Sequence, residues 1–227
     1  MTAITNWNGS PTTLNAPPAP DSSVNMPQTS NGSMIVTAIN KATQNNAGTI
    51  TISTGGSGTT PPDLPPQATA PWVEVQNFQA NNLQISNIST ASATPVMVQA
   101  IGPGIPGVTP KTISIGSGEV TLGFGEVAQG GTNPQRMILR IQNTTSTLSV
   151  VGVIGGPNDS TGNNGIVIGL NATQNTGPGG ATPPEGYYAT TTSNTYNLNF
   201  NWNGAGIFVG NLSSANAAAL KLTLMAV

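Results

Sequence analysis

A chain of 227 residues with five Lys/Arg, seven Asp/Glu, no histidine and no cysteine lacks the usual carriers of general-base, thiol and metal-ligand chemistry. It is therefore expected to be no enzyme and to need no cofactor or metal. A formal charge of −2, with Lys41, Lys111, Arg136, Arg140 and Lys221 scattered along the chain, offers no basic cluster for nucleic acid, which requires several cations to displace phosphate counterions. Hydrophobic residues make up 36% of the chain and gather in short Val/Ile/Leu runs. A disordered chain would instead combine low hydrophobicity with high net charge.

Met1 to Thr5 opens no basic region followed by an apolar stretch, so no signal peptide is visible. No window approaches the ~20 apolar residues that cross a bilayer, and no membrane insertion is expected. Ser10 to Pro27 carries Pro11, Pro17, Pro18, Pro20 and Pro27. These exclude helix and favour an extended N-terminal arm. The runs Met34 to Ile39 and Thr49 to Ser53 read as a strand pair around the polar loop Asn45-Asn46-Ala47-Gly48. An isolated hairpin is marginal in water, so this piece must dock on its own main domain or on a neighbouring subunit. Thr54 to Pro71 starts Gly/Ser-rich and stiffens into Pro, the composition of a linker. The expected organisation is an arm over 1–53, a linker over 54–71 and a β-sandwich over 72–227.

From Trp72 the apolar period is two, and Gly, Pro or Asn ends a run every ten residues or so. This pattern predicts strands over 72–79, 83–88, 96–101, 112–115, 119–124, 136–142, 148–154, 165–170, 195–202, 206–211 and 219–226. The fold class is all-β: an antiparallel, jelly-roll-like sandwich with a Pro-rich arm. Only Ser214 to Leu220, with Ala at 215 and 217–219, has the composition of a short helical turn.

One pattern recurs. Ile85-Ser86-Asn87 leads through Ser/Thr residues to the run at Val96, and Ile141-Gln142-Asn143 leads similarly to the run at Val150. A looser version runs from Val209-Gly210-Asn211 to Leu222. Asn bonds its own backbone two residues on and tolerates turn conformations, so each is read as a hairpin. Convergent turn chemistry accounts for the likeness as well as duplication does.

Asn-X-Ser/Thr triplets begin at Asn8, Asn31, Asn87, Asn143, Asn158, Asn171 and Asn211. They are glycosylation acceptors in a secreted eukaryotic chain, but a sequence this rich in Asn, Ser and Thr generates them by composition. The loop Pro157 to Gly165 gathers oxygen-bearing side chains but only one carboxylate, Asp159, too few for a hard-cation site. Gly102 to Gly107 and Gly177 to Gly180 lead into Pro and strands rather than helix N-termini, so they are loops and not phosphate cradles. Glu119 and Glu126, seven apart, are the one pair of carboxylates close enough to weigh as an acid/base couple. Trp72, Phe78, Phe124, Tyr196, Phe200, Trp202 and Phe208 are expected to fill the core. Trp7 and the pair Tyr187 and Tyr188 have no secure place in a sheet.

Lys-poor strands under a neutral coat of 31 Thr and 26 Asn lack the charges that natural monomers use to protect sheet edges. The expected function is a structural subunit that self-assembles through strand contacts, with Met34–Ser53 completing a neighbour's sheet, into an extracellular or cell-surface fibre, appendage or array. Its expected partner is itself. The alternatives are a carbohydrate-binding sandwich, with Tyr187 and Tyr188 stacking on a glycan, and a virion shell or decoration protein.

Overall fold

The computed structural model describes residues 11–26, 32–54, 57–60, 63–66, 72–78, 83–101, 109–116, 118–123, 125–130, 136–154, 165–171, 188–201, 207–213 and 219–227. Among them the chain is all β, without helix, and forms two sandwiches in succession.

The first sandwich uses β1 (Thr12–Leu14), β2 (Ser23–Met26), β3 (Gly32–Asn40), β4 (Ile50–Thr54), β5 (Ser57–Thr59), β6 (Trp72–Phe78), β7 (Leu83–Asn87) and β8 (Val96–Ile101). One sheet runs β1-β8-β3-β6 and the other β2-β7-β4-β5. Strict alternation sets the inner faces. Val36 and Ala38 of β3 and Val96, Val98 and Ala100 of β8 meet Ile50, Ile52, Leu83 and Ile85 in one apolar core, with Trp72 and Leu64 at its margin.

The second sandwich uses β9 (Lys111–Ile113), β10 (Val120–Leu122), β11 (Val127–Gly130), β12 (Arg136–Asn143), β13 (Ser149–Ile154), β14 (Gly165–Leu170), β15 (Tyr188–Thr191), β16 (Thr195–Asn201), β17 (Phe208–Asn211) and β18 (Leu220–Ala226). Its sheets run β10-β18-β12-β16 and β15-β14-β13-β17-β11-β9. Leu139, Ile141, Leu222 and Leu224 face Val151, Val153, Ile168 and Val209 across the core. The outermost strands β9 and β15 pair parallel with β11 and β14; all other pairs are antiparallel.

Without β9 and β15, the second sandwich repeats the first strand for strand, and the repeat extends to register. Leu14 opposes Val96 as Leu122 opposes Leu220. Asn40 opposes Val96 as Asn143 opposes Leu220. Ala38 opposes Trp72 as Ile141 opposes Tyr196. Ser23 opposes Ser86 as Val127 opposes Gly210, and Ile50 opposes Asn87 as Val151 opposes Asn211.

This division differs from the expected arm, linker and single sandwich. The sheets part between Ile101 and Lys111, and strands at 72–101 complete the first sandwich with those of the expected arm. Pro and Gly marked sheet edges: β1, β2 and β5 are all edge strands, where a missing N–H or side chain costs least. The supposed linker is anchored by Leu64, 2% exposed, which exchanges both backbone hydrogen bonds with Gly48 at 2.9 and 2.7 Å. Strands β3 and β4 do dock on the chain's own strands, but in opposite sheets, so they form no hairpin. Each is bonded on both sides within the chain, which leaves neither a free ladder for strand donation.

The two sandwiches pack sheet face on sheet face. Ile35 of β3 and Ile101 of β8 point outward from the first, and meet Val127, Val150, Val167 and Leu212 of the second, flanked by the partly buried Leu148 and Phe208. Phe208 thus packs between sandwiches rather than within one. The fit depends on Gly152 and Gly210, opposed across β13 and β17. A Cβ on Gly210 would lie 2.7 Å from Ile101 Cδ1, and one on Gly152 would lie 2.7 Å from Leu212 Cδ1 and 2.8 Å from Ile101 Cδ1. Two missing side chains make the dimple that seats Ile101.

Filling that dimple overpacks it. Gly210→Ala is expected to cost about 1–3 kcal/mol in urea denaturation, and Ile101→Val in the same chain should recover part of the loss. Strict additivity of the two substitutions would refute the seating.

Candidate interaction faces

Both sandwiches are fixed at their corners by asparagine. Asn40 and Asn143 end the equivalent strands β3 and β12, and Asn87 and Asn211 end β7 and β17; all four are at most 1% exposed. Each side chain accepts, at Oδ1, the backbone N–H two residues on: Ala42 at 2.8 Å, Ser89 at 3.0 Å, Thr145 at 2.9 Å and Ser213 at 3.2 Å. Nδ2 then donates to backbone carbonyls, either on other segments or further along the same connection. Asn87 reaches Leu14 at 2.9 Å and Thr94 at 2.8 Å, and its counterpart Asn211 reaches Leu122, the counterpart of Leu14, at 3.3 Å. Asn40 donates to Asn46 and Leu64, and Asn143 to Thr147.

These corners correct the hairpin reading. After Asn87, Asn143 and Asn211 the chain crosses to the opposite sheet instead of pairing with the strand it leaves. They also explain the Ser or Thr of the triplets: Ser89 Oγ and Thr145 Oγ1 donate to the same Oδ1 at 2.6 and 2.9 Å. With their amides buried and bonded inward, Asn87, Asn143 and Asn211 are structural positions. Asn171 donates to Thr145 O at 2.9 Å. Asn8, Asn31 and Asn158 lie outside the described residues.

Firm corners leave sheet faces as the available surface. Among the described residues, one face of each sandwich is used in the contact between them, and the other two take no part in it. On the first sandwich, the outer face of β2-β7-β4-β5 presents Ser86 and Thr51 in one cross-strand row, which the buried Ser23 continues, and Asn25, Gln84 and Ser53 in the next, all short or neutral. On the second, β10-β18-β12-β16 presents Arg140 and Lys221 around Ile138 and Met225, which oppose each other directly. Met225 is 37% exposed, and Ile115 (38%) and Val227 (69%) lie at the same end; Gly116 N–H donates to Leu224 O there at 3.3 Å.

The charged groups serve loops and edges. Glu119 Oε1 pairs with Lys221 Nζ at 2.7 Å, while Glu126 pairs with Lys111. The two carboxylates weighed as a couple therefore engage different lysines. Glu126 also accepts Gly123 N–H at 2.6 Å, and Lys111 Nζ donates to Thr121 O at 2.8 Å, which ties β9 to the β10–β11 turn. The Lys111 hydrogen bond, then that from Gly123, hold the Glu126 carboxyl below its ordinary value against a small opposing burial effect.

Of the aromatic pair, Tyr187 lies outside the described residues and Tyr188 opens the edge strand β15 in register with Val167. Trp7, the loop 157–164 and both glycine runs also fall outside them. Among the described residues, no three His, Cys, Asp or Glu gather as metal ligands, and no helix is long and apolar enough to cross a membrane.

No protein-family model and no curated protein matches the chain. Among solved structures it is similar to the crystal structure of PBSX exported protein XepA at 13% identity. That match covers 95% of this chain and 85% of that one, with a TM-score of 0.26, a likeness too slight to bear on role.

Asn87→Ala leaves Leu14 O, Thr94 O and Ser89 N–H without their partner, and is expected to cost about 2–4 kcal/mol by urea denaturation. The exposed Asn45→Ala should stay within about 0.5 kcal/mol. Because the folded pKa of Glu126 is lowered, its contribution is present above the unfolded value and is lost as pH falls through the folded one. Its side chain is 44% exposed, so Glu126→Gln should cost under about 1 kcal/mol at pH 7 and nothing in strong acid, giving a flatter acid limb in melts taken from pH 2 to 7.

Proposed function

We propose that this protein is a structural subunit that self-assembles into an extracellular fibre, appendage or other large array, its building block being two jelly rolls in tandem. The strand orders 1-8-3-6 and 2-7-4-5, repeated in the second sandwich, support the jelly-roll reading of both halves. The observation that carries the functional reading is the contact between the halves. This sequence already joins one sandwich to another through sheet faces, seating Ile101 over Gly152 and Gly210, and its remaining faces carry few charges to repel a copy. Faces replace the N-terminal strands as the contact surfaces, since β3 and β4 are bonded on both sides.

Repetition of one winding also favours the second reading, a virion shell or decoration protein, since jelly rolls recur in capsids. The two differ in the form of the assembly. Negative-stain electron microscopy of the full chain at neutral pH should find regular filaments or lattices on the first reading and closed shells on the second. A uniform particle of 22.9 kDa at all concentrations up to about 100 μM, in the range of weak association, would contradict self-assembly into either a fibre or a shell.

A further inference from the structure

The repeat of register assigns the seated and seating pairs of the contact between the sandwiches counterparts on the other two faces. The seated pair Ile35 and Ile101, opposed across β3 and β8, corresponds to Ile138 and Met225, opposed across β12 and β18. The seating pair Gly152 and Gly210 corresponds to Thr51 and Ser86, opposed across β4 and β7. The second sandwich thus carries an apolar pair in the seated position, and the first carries a flat row of short side chains in the seating position. Both face outward, at opposite ends of the molecule's chain of contacts.

We propose that a second copy of this chain occupies each of these faces, with Ile138 and Met225 of one copy packing on the Thr51 and Ser86 row of the next. This deepens the self-assembly reading and rests on it, because it names the surfaces and the partner. Three observations favour a second copy. The arrangement continues a contact the chain already makes. The receiving rows, Ser86 and Thr51 with Asn25, Gln84 and Ser53, carry no charge, so Arg140 and Lys221 at the donor face meet no like charge. Three of the four exposed large apolar side chains among the described residues, Ile115, Met225 and Val227, lie at the donor end.

The substitutions between the two versions compensate. Thr51 and Ser86 fill the dimple that glycine leaves open, so a β-branched Ile101 would no longer seat. Met225 replaces it with an unbranched side chain that adapts to irregular gaps. A donor face meeting a different receiving face is a heterologous contact, which propagates unless its rotation closes a ring.

The test uses the full-length chain and two double variants. Ile138→Asp/Met225→Asp damages the donor face and keeps the receiving face; Thr51→Asp/Ser86→Asp does the reverse. Sedimentation velocity of wild type should show association rising with concentration. Each variant alone should need at least about 100-fold more protein to associate, since a buried unpaired charge is heavily penalised. Mixed one to one, the variants should form a dimer and stop there, because each supplies the one face the other retains. Ser92→Asp in the exposed β7–β8 connection serves as a charge control and should associate like wild type, while circular dichroism melts verify that each variant folds. If wild type assembles and both folded double variants assemble equally well, this geometry is refuted while self-assembly stands. If wild type stays monomeric throughout, both fall. If a variant does not fold, the single Met225→Asp and Ser86→Asp chains carry the same mixing test, with a mixed dimer expected and its absence refuting the proposal.

Discussion

Four buried asparagines set the condition under which the rest of this structure exists. A sandwich wound between two sheets must repeatedly take its backbone from one sheet to the other, and at each corner ladder hydrogen bonds end where water cannot replace them. A buried amide or carbonyl left unpaired costs about 1–3 kcal/mol. Asparagine holds an acceptor and two donors on a short stem. It can close the turn behind it through Oδ1 while Nδ2 bonds carbonyls on another segment, as Asn87 does with Leu14 and Thr94. Register follows, because a one-residue slip would turn the core-facing asparagine toward solvent and every apolar neighbour with it.

With corners fixed in the same way twice, the two sandwiches become equivalent down to opposed residue pairs, and differences between them acquire meaning. At the row that is Ser23, Ser86 and Thr51 in the first, the second has Val127, Gly210 and Gly152. The exchange of hydroxyls for valine and glycine turns an open face into a seat for Ile101. Few formal charges stand in the way of such face-to-face packing. Lys111 with Glu126, and Lys221 with Glu119, are spent locally on a turn and an edge.

Much of this was legible in the sequence. The runs from Trp72 to Ala226 alternate with period two, and strands form within them; Asn87, Asn143 and Asn211 stood out as repeated strand ends. Periodicity reports which face of a strand is buried but not which strand lies beside it, and an Asn turn has the same local chemistry whether the chain folds back or crosses over. Hence arches read as hairpins. The looser likeness proved the deeper one: Asn87 and Asn211 occupy equivalent strands, whereas Asn143 matches Asn40, whose following Lys41-Ala42 lacks the hydroxyl that makes the motif visible. The short edge strands β1, β2 and β5 were hidden by the proline and glycine that edges tolerate. The seat at Gly152 and Gly210 had no local signal, since its meaning lies in Ile101, which belongs to the other sandwich.

Native-state amide hydrogen exchange of the full chain, read residue by residue by nuclear magnetic resonance, tests the corners most directly. The backbone N–H groups of Ala42, Ser89, Thr145 and Ser213 lie outside every strand, yet each donates to an asparagine Oδ1. The account predicts that all four exchange as slowly as the central ladder amides of β8 and β12. Exchange of these four at the rate of solvent-exposed loop amides would contradict it.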